Sequence, residues 1–401
     1  MAVPRTQPYD GPSLFSYGFR PFFLFGAIYA GLTILLWVPF YVGNIDLPLQ
    51  LAPADWHMHE TLFGFLPAIM AGFLLTAVPN WTGRLPVNGA ALAGLLALWL
   101  LGRVVSNASA FVPFWGLVLA NLSFGVMFTL AILREILAGK NWRNLKVLVL
   151  FGLLLAAQVG FYVALDQEWS TRPASYAAMI AVLMLIMLIG GRIIPSFTRN
   201  YLAKNKSQTL PAPFGRFDKL TVIVSGVVLG AWLLSTADLF AFDLVLGAGF
   251  LVLAILHLIR LSRWHTELIW RDALLLVLHV GYGFLPFGFA LLAVSFFNAD
   301  WVPPVGAVHA LTTGTIGMMV IGVMVRATLG HTGYPLVASK GTMVLFLSIF
   351  VAALLRISAA FDLEISATLM HLSHLFWVIG FWGFAALYGR KLVQPRANPK
   401  A

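Results

Sequence analysis

Trp56-His57-Met58-His59-Glu60 sets two imidazoles and a carboxylate directly before the apolar run TLFGFLPAIMAGFLLTAVP. Ionisable groups are costly to bury in a bilayer and need partners there. The chain has no cysteine, which excludes disulfides, iron–sulfur clusters and thiolate-held metals. Any metal must therefore take His, Met, Glu or Asp as ligands. His57 and His59 are two residues apart and point roughly 200° apart on a helix, so one of them faces a different partner or lies in the turn before the helix starts. Glu60 is suited to accept from an imidazole and fix its tautomer. His279 in LHVGYGFLP and His331 in LGHTGYP are candidates for a second metal site. His371 and His374 share a helix face, as a chelating pair would, whereas His257 and His265 read as interfacial residues.

One further histidine is tied to the first group by an internal repeat. Aligned without gaps, HETLFGFLPAIMAGFLLTAVPNWTGRLP from His59 matches HALTTGTIGMMVIGVMVRATLGHTGYPL from His309. Gly64 meets Gly314, Gly72 meets Gly322, Ala77 meets Ala327, and Thr82-Gly83 meets Thr332-Gly333. Two equivalent parallel helices would hold His59 and His309 at similar depth, the way membrane cytochromes grip a haem iron from both faces. Small residues along both helices leave room for a flat macrocycle or for close helix contact. Pro195-Ser-Phe-Thr-Arg199 echoes Pro79-Asn-Trp-Thr-Gly83 more faintly.

The elements that must position these residues are membrane helices. Of 401 residues, 60% are hydrophobic and 10% charged, with mean hydropathy +0.89; soluble domains carry roughly 25% charged residues. A spanning helix needs about 20 apolar residues. Such runs occur at 20–42, 57–79, 87–106, 112–134, 145–165, 173–195, 219–238, 240–261, 272–297, 303–327, 340–360 and 364–389. The expected fold is all-α, a single integral membrane domain over 1–401 with twelve spans. The polar, Pro/Gly-rich stretch from Met1 to Pro21 does not read as a cleavable signal.

Charge sets the orientation. All but three of the 25 Lys and Arg fall in the two tails (1–19 and 390–401) and in or near alternate connections, beginning with Arg5 and ending with Lys400. The opposite connections hold only Arg103, Arg172 and Arg356, with acids that include Asp46, Asp166, Glu168 and Asp362. The positive-inside rule then puts both termini in the cytoplasm. The net charge of +10 is accounted for by topology, and no nucleic-acid partner is expected.

Other residues frame the expectation. Arg192 and Arg326, at inner helix ends, could pair with haem propionates or an anionic substrate. Met318, Met319 and Met324 would suit Cu(I). No Asp or Glu lies deep within any run, Glu60 being the closest and near an end, which speaks against an ion-coupled transporter. No phosphate loop, Ser–His–Asp set or dinucleotide fingerprint stands in a suitable context.

GFRPFFL (18–24), HMHETLFGF (57–65), GFLLTAVPNWTG (72–83), GGRIIPSFTRN (190–200), HALTTG (309–314) and RATLGHTGYPL (326–336) resemble the NnrS family, in order and over nearly the whole chain. That resemblance implies a bacterial inner-membrane protein of nitric oxide metabolism or nitrosative-stress tolerance, containing haem, expected to be b-type, and copper. It carries over to His57, His59, Glu60, His279, His309, Arg326 and His331. His59 and His309 are then the expected iron ligands, with His57 or Glu60 as a supporting partner or a neighbouring copper ligand. The expected partners are membrane lipid, nitric oxide or another small ligand, and an electron donor. A metal or haem transporter with transient His sites, and a non-catalytic sensor or assembly factor, are the alternatives.

Overall fold

A computed structural model of the chain describes residues 9–239, 242–361 and 364–397. Arg5, Asp362 and Lys400, used above for orientation, lie outside the described residues, as do the ends of both tails.

Among the described residues twelve helices are long and apolar enough to cross a membrane, and there is no strand. We label them α1 (Phe19–Tyr41), α2 (Pro53–Thr82), α3 (Gly89–Asn107), α4 (Phe114–Ala138), α5 (Leu145–Asp166) and α6 (Arg172–Lys204). They continue as α7 (Arg216–Thr236), α8 (Asp243–Ser262), α9 (Ala273–Phe297), α10 (Pro304–Thr332), α11 (Lys340–Ser358) and α12 (Ser366–Val393). The expected runs and the observed helices agree one for one. Helices are the form that satisfies every backbone group within one segment when lipid can satisfy none. Large apolar side chains such as Leu119, Val227 and Leu244 are exposed, as a lipid-facing surface requires.

The helices gather into two compact units. The first holds the chain to Ala178, Arg326–Pro335 and the chain from Phe381; the second holds Met179–Val325 and Leu336–Gly380. The first unit is built on α1–α5, the second on α7–α9, α11 and most of α10.

Among the described residues three helices widen into a π turn: α2 at Glu60–Phe65, α6 at Ile186–Gly190 and α10 at Ala310–Gly317. Such turns are rare and gather at functional sites, because each shifts a carbonyl out of the regular ladder. Side chains take up what is released. Trp99 donates its indole N–H to the Gly64 carbonyl at 2.9 Å, and Arg260 reaches the Met187 carbonyl at 2.9 Å.

Two helices share a local plan. Both α2 and α10 open with Pro in the first turn, where its missing N–H costs nothing. In each, a His is the last residue before the π turn, His59 in one and His309 in the other. Each ends on a Thr that donates to the carbonyl four residues back, Thr82 to Val78 and Thr332 to Thr328. The glycine that follows is left-handed in both, Gly83 at φ 72° and Gly333 at φ 82°.

Candidate functional site

In the first unit the WHMHE residues separate, as their spacing demands. His57 is half-buried and stacks on Trp37, ring centroids 4.2 Å apart. His59 and Glu60 turn inward and are 1% and 0% exposed. The π turn begins at Glu60, so the carboxylate leaves the helix where the backbone is widest.

Glu60 is held from three directions. Oε2 accepts from the Tyr29 hydroxyl of α1 and from Arg103 Nη1 of α3. Oε1 accepts from His59 Nδ1 at 2.6 Å. Arg103, 5% exposed, also donates through Nη2 to Asn121 Oδ1 of α4. Asn107 donates to the Tyr29 hydroxyl at 2.9 Å, and Ser106 to Asn121 Oδ1 at 3.1 Å. An isolated carboxylate in such apolar surroundings would be prohibitive; paired and fully hydrogen-bonded it is retained.

The network assigns a tautomer. With Glu60 accepting, His59 Nδ1 carries the proton, so Nε2 accepts from the Tyr162 hydroxyl of α5 at 2.6 Å. Phe63, Phe161 and Tyr162 box the imidazole, with ring centroids 5.4–5.7 Å away. As placed, neither nitrogen of His59 offers a lone pair to iron, and aromatic rings fill the space a macrocycle would need. This arrangement of His59 does not fit a haem; iron at Nε2 would first require Tyr162 to leave.

The second unit holds another ionic cluster. Arg260 is 0% exposed and donates through Nε to Asp218 Oδ1 at 2.9 Å, and through Nη1 to the Tyr282 hydroxyl at 2.9 Å. Asp218 Oδ2 accepts the Gly215 backbone N–H at 2.9 Å and Arg263 at 3.3 Å. Tyr282 pairs with His257 Nδ1 at 2.8 Å, and His257 Nε2 with Ser225 Oγ at 2.9 Å. Ser225 gives its own proton to the Thr221 carbonyl, so His257 donates from Nε2 and accepts from Tyr282. His257 is thus fully buried rather than interfacial as its position suggested.

The remaining candidates stand apart. His279 is buried, with Nε2 on Thr198 Oγ1 and Nδ1 on Thr266 Oγ1, both at 2.8 Å. His331 is exposed and packs on Phe19 at 5.6 Å. His309 is half-buried and donates from Nδ1 to the Val305 carbonyl of its own helix at 2.7 Å. Arg192 lies 4.9 Å over the Phe214 ring, and Arg326 is half-buried. Among the described residues no three His, Asp or Glu side chains converge as a metal would require.

Two residues of the Glu60 network escaped the sequence. Arg103 counted as one of three charges on the outer side, yet it is the cation of the Glu60 site. The signal was there: a carboxylate beside an apolar run demands a cation, and Arg103 sits in the apolar run LALWLLGRVV. Tyr162 carries no such mark.

Twelve bilayer-length helices, with a sealed ionic cluster in each unit, define a polytopic helical membrane protein. Its sequence matches the family described as NnrS protein over residues 13–396. The chain belongs to the NnrS family. A comparison with curated proteins gives no match.

Proposed function

We propose that this chain acts in the bacterial response to nitric oxide, as an inner-membrane protein with both termini in the cytoplasm. Family membership supports the role, and the segregation of Lys and Arg supports the orientation. The observation that carries the reading to a site is Glu60: a fully buried carboxylate among apolar helices, satisfied by Tyr29, His59 and Arg103. Intramembrane ionisable groups of this kind are kept for function. Nitric oxide is small and apolar, so it reaches such a site through lipid without a polar channel. The test is survival of cells lacking the chain under nitric oxide challenge. Wild type restores growth, whereas His59→Ala and Glu60→Gln variants present at equal levels in the membrane do not. Full rescue by both variants would remove the site from the function.

Haem and copper belong to this reading through the family resemblance, not through the placement of His59. The reduced-minus-oxidised spectrum and the metal content of purified wild type, His59→Ala and His309→Ala decide the matter. Loss of a b-type spectrum in both variants would mean that Tyr162 yields its place to iron. A full spectrum in both would put any haem on other residues. We also read α2 and α10 as an internal repeat. Their shared order of Pro, His, π turn, back-bonded Thr and left-handed Gly supports it.

A further inference from the structure

Among the described residues two tyrosine–histidine pairs are hydrogen-bonded, and the charged group in contact with each differs. It is the Glu60 carboxylate, itself paired with Arg103, in one, and the Arg260 guanidinium, itself paired with Asp218, in the other. In the first unit Tyr162 donates to His59 Nε2 at 2.6 Å, and the far nitrogen of the same ring lies 2.6 Å from the Glu60 carboxylate. In the second unit Tyr282 faces His257 Nδ1 at 2.8 Å, and the far nitrogen meets the neutral hydroxyl of Ser225. The charge nearest that second pair is the Arg260 guanidinium, 2.9 Å from the Tyr282 oxygen.

A phenol gives up an electron readily only when its proton can leave at the same time. The acceptor becomes a cation, so a neighbouring anion favours the step and a neighbouring cation opposes it. His59 would become an imidazolium in direct contact with a carboxylate oxygen, Oε1, while Arg103 holds the other oxygen of the same group. His257 would become one beside a guanidinium, with no carboxylate in contact. The two pairs therefore serve as subject and internal control.

We propose that Tyr162 is a redox-active tyrosine that reduces a small, neutral, lipid-soluble one-electron oxidant, with nitrogen dioxide radical as the fitting class. The O–H bond of Tyr162 breaks and its proton forms a new N–H bond at His59 Nε2. The electron reduces nitrogen dioxide to nitrite, and Tyr162 is left as a neutral phenoxyl radical. Size and charge of the oxidant follow from access: Tyr162 is 3% exposed and stands among the rings of Phe114 and Phe161. A second nitrogen dioxide adds to the ring carbon beside the radical oxygen, and transfer of that carbon's proton to the oxygen restores the ring as 3-nitrotyrosine. Neither step draws on haem or copper.

The experiment is to expose the detergent-purified full chain to nitrogen dioxide generated by pulse radiolysis of nitrite. Freeze-quench electron paramagnetic resonance then reads the radical, and peptide mass spectrometry maps nitration in the wild type. A tyrosyl signal is expected in wild type and in Tyr282→Phe, falling to background in Tyr162→Phe. His59→Gln can still accept the hydroxyl hydrogen bond but cannot keep the proton, so radical formation slows there. Nitration is expected at buried Tyr162 ahead of Tyr41, which is 52% exposed. A signal undiminished in Tyr162→Phe, or nitration confined to exposed tyrosines, overturns the proposal. The wild-type map stands even if Tyr162→Phe fails to fold. Because the readout needs neither cells nor bound metal, its failure leaves the nitric oxide reading of the family untouched, and the converse holds.

Discussion

Arg103 of α3 donates to Glu60 of α2 across 43 residues of sequence, and both groups are sealed from solvent. The pair brings little net energy over a well-packed apolar pair, because desolvation offsets the attraction; breaking it strands a charge. Arg103→Leu is accordingly expected to destabilise the protein by about 3–5 kcal/mol. Adding Glu60→Gln should recover part of the loss. Thermal unfolding in detergent of the two single variants and the double variant measures the coupling, and strictly additive losses would contradict the pairing.

The close approach of α2 and α3 depends on Gly64. A Cβ there would overlap the Arg103 guanidinium and press on the Glu60 carboxylate. Gly64→Ala should cost about 1–3 kcal/mol, the usual range for overpacking. Gly94, on α3 with open space around it, is the control. Gly94→Ala should be neutral or stabilising by up to about 1 kcal/mol, since glycine inside a helix is entropically unfavourable. Equal losses at the two sites would show that crowding at Gly64 does not matter.

Gly83 ends α2 in the left-handed region, and nothing stands within 4 Å of the place a Cβ would take. Strain alone should govern its substitution. Gly83→Ala is expected to cost about 1–2 kcal/mol, and Gly83→Asn clearly less, because asparagine tolerates this conformation. Melting temperatures of the two variants, compared side by side, check the order.

Absence of cysteine makes the orientation directly measurable. Single cysteines at Asp46 or Trp301 should react with an impermeant maleimide added to intact spheroplasts. A cysteine at Arg216 should react only after the membrane is opened. The reverse pattern would invert the topology.

The twelve spans were legible because hydropathy and length act locally, and each run declares itself without reference to its neighbours. Glu60 beside His59 was likewise readable as the acceptor that fixes an imidazole, since the two are adjacent in sequence. What fills the other side of His59 was not readable: Tyr162 is 103 residues away and lies in an ordinary apolar helix. The same limit hid Arg260, whose basic residue looked like one more charge at a helix end until Asp218 and the Met187 carbonyl came to it. The π turns left no trace either, because they answer to packing between helices more than to local propensity.

The Glu60 cluster draws one residue or more from each of the first five helices: Tyr29, Glu60, Arg103, Asn121 and Tyr162. During synthesis the carboxylate enters the membrane when only α1 has preceded it. Its guanidinium arrives with α3 and the hydroxyl for His59 only with α5. Until then these groups must be sheltered by water, headgroups or the insertion machinery. Birth of this half of the protein is therefore timed by a polar knot that closes late, and a ribosome that stalls before α5 leaves behind helices that have no finished structure to adopt.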